Sequence, residues 1–568
     1  IREEKGACHM QTVEWNKGWS FSRLSEMDKA VVVNLPHDAM LAEPRGAHCP
    51  SGVNGCWYEG HDYCYIKRFT APESWLEQDV FWEFEGVYHN AEIWLNDVKI
   101  ASWRYGYTRF FAPAGDALLA GENELKVIAR NADQPNSRWY SGAGLYRPVW
   151  LHIAPKKRLK TDGVRIRTLS LSPAVVEVTA ESTAPGQITI ELPGAKQTLQ
   201  TDDSGRVAAK FTLSGVRPWS CEDPETYPCT VCYRSADGSC EDTSTVRFGV
   251  RTLEWGADKG LLLNGKRIIL RGACIHHDNG ILGAACWEDA VERKVRLLQK
   301  AGYNAIRSAH NPCSKALLDV CDRLGMLVMD EFVDCWYIHK TVHDYVDDFA
   351  QWWKKDLDAM VAKDYNHPCV ILYSTGNEVS ETAQPKGIFL TGELTRYLHS
   401  LDATRPVTCG VNIFFNFLSS MGFGVYSDEK AKKELESSGK KKKAVGSEFY
   451  NNLAGLMGAN TMKIGATLHG CDVRTRGAFA KMDFAGYNYG ILRYEHDLKK
   501  YPERLILGTE TFCDDAYRFW EQAKTEKRLL GDFVWAGIDY LGEVGVGSWE
   551  YADYAPDFSH GPGWMTAG

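Results

Sequence analysis

From Leu261 onward the chain repeats one unit: a short apolar run, a polar break, then an amphipathic stretch of helical period. Eight apolar runs can be marked, at residues 268–273, 304–309, 326–332, 370–375, 406–410, 485–490, 505–510 and 533–537. Strands that are apolar on both faces and separated by helices belong in a parallel sheet with both faces covered. Eight of them predict a (β/α)8 TIM barrel. Its outer ring includes helices at 287–302, with Val291, Leu297 and Leu298 on the apolar face, and at 517–530. Such a barrel keeps its chemistry at the C-terminal ends of its strands.

Two of these runs end abruptly on a carboxylate. Val370-Ile371-Leu372-Tyr373-Ser374-Thr375-Gly376-Asn377-Glu378 closes the fourth strand, and Leu505-Ile506-Leu507-Gly508-Thr509-Glu510 closes the seventh. Glu378 and Glu510 therefore face one rim of the barrel, and two facing carboxyl groups are the minimum equipment for cleaving a glycosidic bond. One must keep a proton, through burial or a neighbouring negative charge, while the other must stay ionised, with help from a nearby cation. Arg307, at the end of the second strand, is the candidate cation.

Upstream the pattern changes to short alternating segments broken by Gly, Pro and Asn, such as Ala91-Glu92-Ile93-Trp94-Leu95, with Asn96-Asp97 as a hairpin turn. Residues 1–154 read as an N-terminal, jelly-roll-like β-sandwich, and 155–252 as an immunoglobulin-like β-sandwich acting as a spacer. The barrel takes 253–568. In the first sandwich the loop Asn136-Ser137-Arg138-Trp139-Tyr140-Ser141-Gly142-Ala143-Gly144 spends aromatics and glycines in a way that suggests contact with something.

Taken together, these motifs are similar to glycoside hydrolase family 2, the group of β-galactosidases, β-glucuronidases and β-mannosidases. The resemblance rests on Thr375-Gly376-Asn377-Glu378, Gly508-Thr509-Glu510, Arg271-Gly272-Ala273-Cys274-Ile275-His276-His277, Ile306-Arg307-Ser308-Ala309-His310-Asn311-Pro312, Met329-Asp330-Glu331-Phe332 and Phe533-Val534-Trp535, in the family's order behind two β-domains. It implies a retaining exo-β-glycosidase with Glu378 as acid/base and Glu510 as nucleophile. It further implies that Asn377 binds the sugar 2-hydroxyl, that Tyr487 or Tyr489 donates to the nucleophile, that Trp535 floors the sugar site, and that His310 and Asn311 reach hydroxyls. Because the family extends a loop of its N-terminal domain to the pocket, Asn136 or Arg138 becomes a substrate contact, with an interdomain contact the equal alternative. Asp330-Glu331 is expected to support architecture.

Magnesium-dependent β-galactosidases of the family carry a Glu and a His shortly after this pair. Here Phe332-Val333-Asp334-Cys335-Trp336 follows, and Cys513 stands where those enzymes have a His after the nucleophile. Neither a metal nor another cofactor is expected. Adjacent His276 and His277 cannot easily share one zinc ion. The β-glucuronidases carry an Asn-x-Lys pair downstream of the eighth strand; no Asn or Lys follows Trp535, although the pair could fall beyond Gly568. Galactosides are therefore the first expected substrate and glucuronides a close second. A carbohydrate-binding protein without catalysis is the alternative of another class, and both glutamates stand against it.

Net charge is −9 with an isoelectric point near 6.0, which argues against nucleic acid or an anionic membrane as partner. No apolar run approaches the roughly 18 residues of a membrane span. Residues 1–10 hold no apolar signal-peptide core, and 17 cysteines of irregular spacing point to reduced thiols in a cytoplasm. The expected partner is a carbohydrate or glycoconjugate substrate, and assembly into a homo-oligomer is left open. An insertion at 422–481 opens with the charged run 428–443, read as a solvated face, and no helix evidently closes the barrel after the eighth strand.

Overall fold

The computed structural model describes residues 9–46, 48–52, 54–424 and 458–541. An antiparallel sheet of six strands opens the fold, in the spatial order Val31–Val33, Trp19–Arg23, Asp62–Ala71, Gly121–Arg130, Ala91–Leu95 and Val98–Trp103. Against it lies a four-stranded sheet of Gln11–Glu14, Val149–Ala154, Asp79–Phe84 and Phe110–Pro113. The expected hairpin is present: Asn96 and Asp97 have φ of 48° and 65°, the left-handed pair that a two-residue turn requires and that these residues tolerate.

A second sandwich, with sheets of three and four strands, lies between Leu159 and Phe248. Its buried side chains, among them Val176, Val178, Ile188, Ile190 and Val231, form a core of their own. By contrast, the first sandwich and the barrel share one continuous core. The first sandwich is thus packed as part of the barrel's own unit.

Eight parallel strands close the barrel: Leu270–Ile275, Ala305–Ser308, Leu327–Glu331, Val370–Asn377, Val407–Asn412, Ala485–Asn488, Ile506–Phe512 and Leu529–Trp535. The eighth pairs in parallel with the first, Gly531 with Leu270 and Val534 with Ala273. Most strand ends differ from expectation by one or two residues, and the larger departures lie at the eighth strand, the first strand and one helix face. The eighth strand begins at Leu529, because buried Leu529 and Leu530 belong to the sheet and the preceding helix is only Ala516–Thr525. The first strand sits two residues later than expected, at Leu270–Ile275. On the helix Glu288–Lys300 the buried face is Val291, Lys294, Val295 and Leu298, leaving Leu297 exposed, since adjacent helical positions point about 100° apart.

The charged run at 428–443 lies outside the described residues. The rest of that insertion supplies the helices Ala459–Gly465 and His469–Phe479. Among the described residues no helix is long and apolar enough to cross a membrane, and every cysteine is a free thiol.

Helix Val346–Asp364 carries one of the joints between sandwich and barrel. Its buried Asp356 accepts hydrogen bonds from Trp103 Nε1 at 3.0 Å, Thr108 Oγ1 at 2.6 Å and the Tyr345 hydroxyl. Burial pushes this carboxyl from 3.8 up to about 7, against the pull of those three donors. The folded value lies above the unfolded one, so the pH-dependent stability it lends is complete below about pH 4 and is lost as pH rises through about 7. Asp356→Asn removes this titration while keeping an acceptor. In chemical denaturation its midpoint is expected to decline less than the parent's between about pH 4 and pH 7.

Candidate active site

Glu378 and Glu510 meet at the C-terminal rim, as their strand positions require. Glu378 follows strand Val370–Asn377 directly and has a left-handed φ of 43°. Its backbone N–H donates to Gly410 O at 2.7 Å. Two carboxamides serve its side chain: Asn412 Nδ2 donates to Oε1 at 2.8 Å and Asn488 Nδ2 at 3.4 Å. Asn412 also caps the helix Ile413–Ser420, its Oδ1 accepting from Phe415 N–H at 3.1 Å, so one amide fixes both the helix start and the carboxyl.

Glu510 is buried. Arg307 Nη1 donates to its Oε2 at 2.9 Å and the Tyr489 hydroxyl to its Oε1 at 2.5 Å. Tyr489 is therefore the phenol at this carboxylate. Tyr487 points the other way, its hydroxyl donating to Asp497 at 2.7 Å; a register shift next to Asn488 and a left-handed φ of 56° at Tyr489 separate two rings that an ideal strand would place on one face.

Arg307 is fully buried and joins most of the site. Besides Glu510 it bonds both oxygens of Glu331 at 2.7–3.0 Å, Thr509 O at 2.9 Å and Asn377 Oδ1 at 2.9 Å. Gly410 leaves room for it: a Cβ there would lie 3.0 Å from Arg307 Nη2 and 3.1 Å from Asn488 Oδ1. Glu331 thus lies at the centre of the site and not behind it, since it also accepts from Ser374 Oγ at 2.6 Å and lies 2.7 Å from His310 Nδ1. Burial and then Arg307 push His310 well below 6.5, so the neutral ring donates from Nδ1.

Arg307, the candidate cation for Glu510, does contact it. Burial, and next the charge of Glu378, push Glu510 up to about 8, outweighing Arg307 and Tyr489. Glu331 engages the same guanidinium with both of its oxygens.

Around this pair the indole of Trp535 lies parallel to His310, centroids 5.1 Å apart. His276 sits edge-on to both and stacks on Trp139 at 5.2 Å. Among the described residues, both ring nitrogens of buried His276 lack a protein partner, as do both side-chain polar atoms of fully buried Asn311. The loop of the first sandwich divides its residues. Arg138 reaches the barrel and grips Asp334 with Nε at 2.8 Å and Nη2 at 2.6 Å. Asn136 does not reach it: Tyr88, Asn131, Asp133 and His89 occupy its side chain inside its own loop. Burial opposes the charge of Asp334, yet Arg138 and Lys340 hold it well below the usual carboxylate range. Asp334, Lys340, Asn412, Asn488 and His276, none of which the sequence had placed in the site, complete it. Among the described residues one group has metal-ligand spacing, Asp322, His367 and Cys369, and there His367 Nδ1 and Asp322 Oδ2 already pair at 2.6 Å.

Three family models match consecutive segments: "Glycosyl hydrolase 2 galactose-binding domain-like" over 28–150, "Glycosyl hydrolases family 2" over 156–251 and "Glycosyl hydrolases family 2, TIM barrel domain" over 257–461. A solved glycosyl hydrolase family 2 member from Bacteroides cellulosilyticus superposes with a TM-score of 0.74 at 30% identity, covering 94% of this chain and 68% of that one. The chain belongs to glycoside hydrolase family 2. Within that family it is 34% identical over 432 residues to "Beta-galactosidase BoGH2A" of Bacteroides ovatus, covering 67% of this chain and 50% of the relative. It is 29% identical over 383 residues to a "Beta-glucuronidase" of Bacteroides fragilis, covering 61% and 54%. The chain spans about half the length of these curated relatives.

Removing one partner of a buried ion pair leaves the other charge uncompensated. Glu331→Ala is therefore expected to cost about 3–5 kcal/mol, read from the chemical denaturation midpoint.

Proposed function

We propose that the protein is a retaining exo-β-glycosidase acting on terminal β-D-galactosides. The observation that carries this reading is the pairing of Glu378 and Glu510 across one rim, with Arg307 and Tyr489 donating to Glu510 and only neutral amides to Glu378. A cation and a phenol favour negative charge at Glu510, which suits the nucleophile and leaves Glu378 as the proton donor.

In the first step a Glu510 oxygen attacks the anomeric carbon while Glu378 gives its proton to the glycosidic oxygen, so the aglycone leaves as a neutral alcohol. In the second step Glu378, now a carboxylate, takes a proton from water, whose oxygen displaces Glu510 from the covalent glycosyl-enzyme and restores both groups. His276, His310 and Trp535 supply ring surface and hydrogen-bonding capacity for the sugar. Asn377 Oδ1 is held by Arg307, which leaves its Nδ2, 3.2 Å from Asp334, as the donor a 2-hydroxyl would engage.

The 34% identical relative named as a β-galactosidase favours galactosides. A glucuronide reading is favoured by the relative named as a β-glucuronidase and by two cations, Arg138 and Lys340, flanking the single Asp334 carboxylate.

A panel of nitrophenyl β-galactoside, β-glucuronide and β-mannoside distinguishes these readings. Turnover of none by folded protein would leave a carbohydrate-binding role in place of catalysis. Glu510→Gln is expected to abolish turnover, and Glu378→Ala to lose about 10²–10⁴-fold on unactivated aglycones while sparing the first step on dinitrophenyl glycosides.

A further inference from the structure

The mechanism leaves Lys340 unused. It follows the third barrel strand in the loop before helix Val346–Asp364, and its side chain is 9% exposed. It donates to Asn377 O at 2.6 Å and to Asp334 Oδ1 at 2.9 Å. Asn377 O belongs to the peptide that joins Asn377 to Glu378, whose N–H at the other end is spent on Gly410 O at 2.7 Å. Both ends of that peptide are thus tied, one to the third-strand loop and one to the fifth strand.

The tie matters because of the conformation that it secures. A left-handed φ is costly for any residue with a Cβ and persists only where the surroundings over-determine it. Asn377 is fixed as well, by its N–H to Val333 O at 3.2 Å and by Arg307 on its side chain, but neither contact sets the plane of the peptide that follows. Lys340 does set it. Asp334 aims the ammonium, and Asp334 is in turn gripped by Arg138 of the sandwich.

We propose that Lys340 is a positioning residue for the proton donor. By fixing the peptide before Glu378 it aims that carboxyl at the glycosidic oxygen, and through Asp334 it makes the aim depend on the docked sandwich. The inference rests on Glu378 being the acid/base.

Leaving-group dependence separates this role from a structural one, because only proton donation matters more for poorer leaving groups. Lys340→Met is expected to slow hydrolysis of alkyl glycosides by about tenfold or more, while 2,4-dinitrophenyl glycosides change by less than about threefold. Lys340→Arg, which keeps the charge and donors, is expected to recover part of the loss. An equal loss on both substrates, or no loss on either, would overturn the proposal. Glu378→Ala is measured on the same two substrates: if it shows no leaving-group dependence, the acid assignment itself has failed. If it shows the dependence and Lys340→Met does not, only the role of Lys340 has failed.

Discussion

A guanidinium with no access to water must find acceptors for its donors and a counter-charge, or it destabilises the fold by several kcal/mol. Arg307 meets that requirement by drawing on four barrel strands at once: Glu331 from the third, Asn377 from the fourth, and Thr509 and Glu510 from the seventh, around its own place on the second. Those groups have no freedom to move separately. The fixed cation also sets the electrostatics of the reaction. One positive charge faces two carboxylates, Glu331 with a bidentate grip and Glu510 with a single contact. The guanidinium charge is thus shared unequally, and burial together with the nearby charge of Glu378 pushes Glu510 up in spite of it.

The first sandwich enters the site through the same kind of contact. Asp38, buried near its edge, accepts from the Tyr140 hydroxyl at 2.7 Å, from Ala143 N–H at 3.1 Å and from barrel Ala284 N–H at 2.8 Å. Gly142 has φ of 63°, and a Cβ there would lie 2.5 Å from that of Ala284, so the loop closes on the barrel only because its glycines allow it. Arg147 adds a bond to Pro312 O at 2.9 Å, and Tyr105 one to Phe332 O at 2.9 Å. Held by these, Arg138 arrives at Asp334 already oriented. The aromatic and glycine content of the loop thus reflects docking, and one arginine of it reaches the chemistry.

What was legible in the sequence was what strand grammar and composition encode. Apolar runs ending on Asn377-Glu378 and Gly508-Thr509-Glu510 revealed the barrel, its rim and both carboxyl groups, and the end of the second strand pointed to Arg307. Less legible was anything that depends on which face a residue takes after a strand stops. Ending the fifth strand at Gly410 hid Asn412, two residues on, although it obeys the same rule of a polar amide closing an apolar run. Tyr487 and Tyr489 have the same face by alternation along an ideal strand; a register shift next to Asn488 and a left-handed φ of 56° at Tyr489 turn one inward and the other out. Lys340 and Asp334 lie in a loop without periodicity, where a charged pair in sequence carries no signal of burial.

The environments of the two glutamates differ in a way that matches the sequence of steps more closely than their shared position does. Glu510 is buried and held by a cation and a phenol, which suits the nucleophile role proposed for it. Glu378 is only half-buried and held by amides, which neither donate a full charge nor block exchange with solvent. A group that gives up a proton in one step and takes one from water in the next needs that access. Its aim, however, cannot come from a buried side-chain network of the kind that fixes Glu510. It has to come from the backbone, and that is where the left-handed φ and the two ties on the preceding peptide are found.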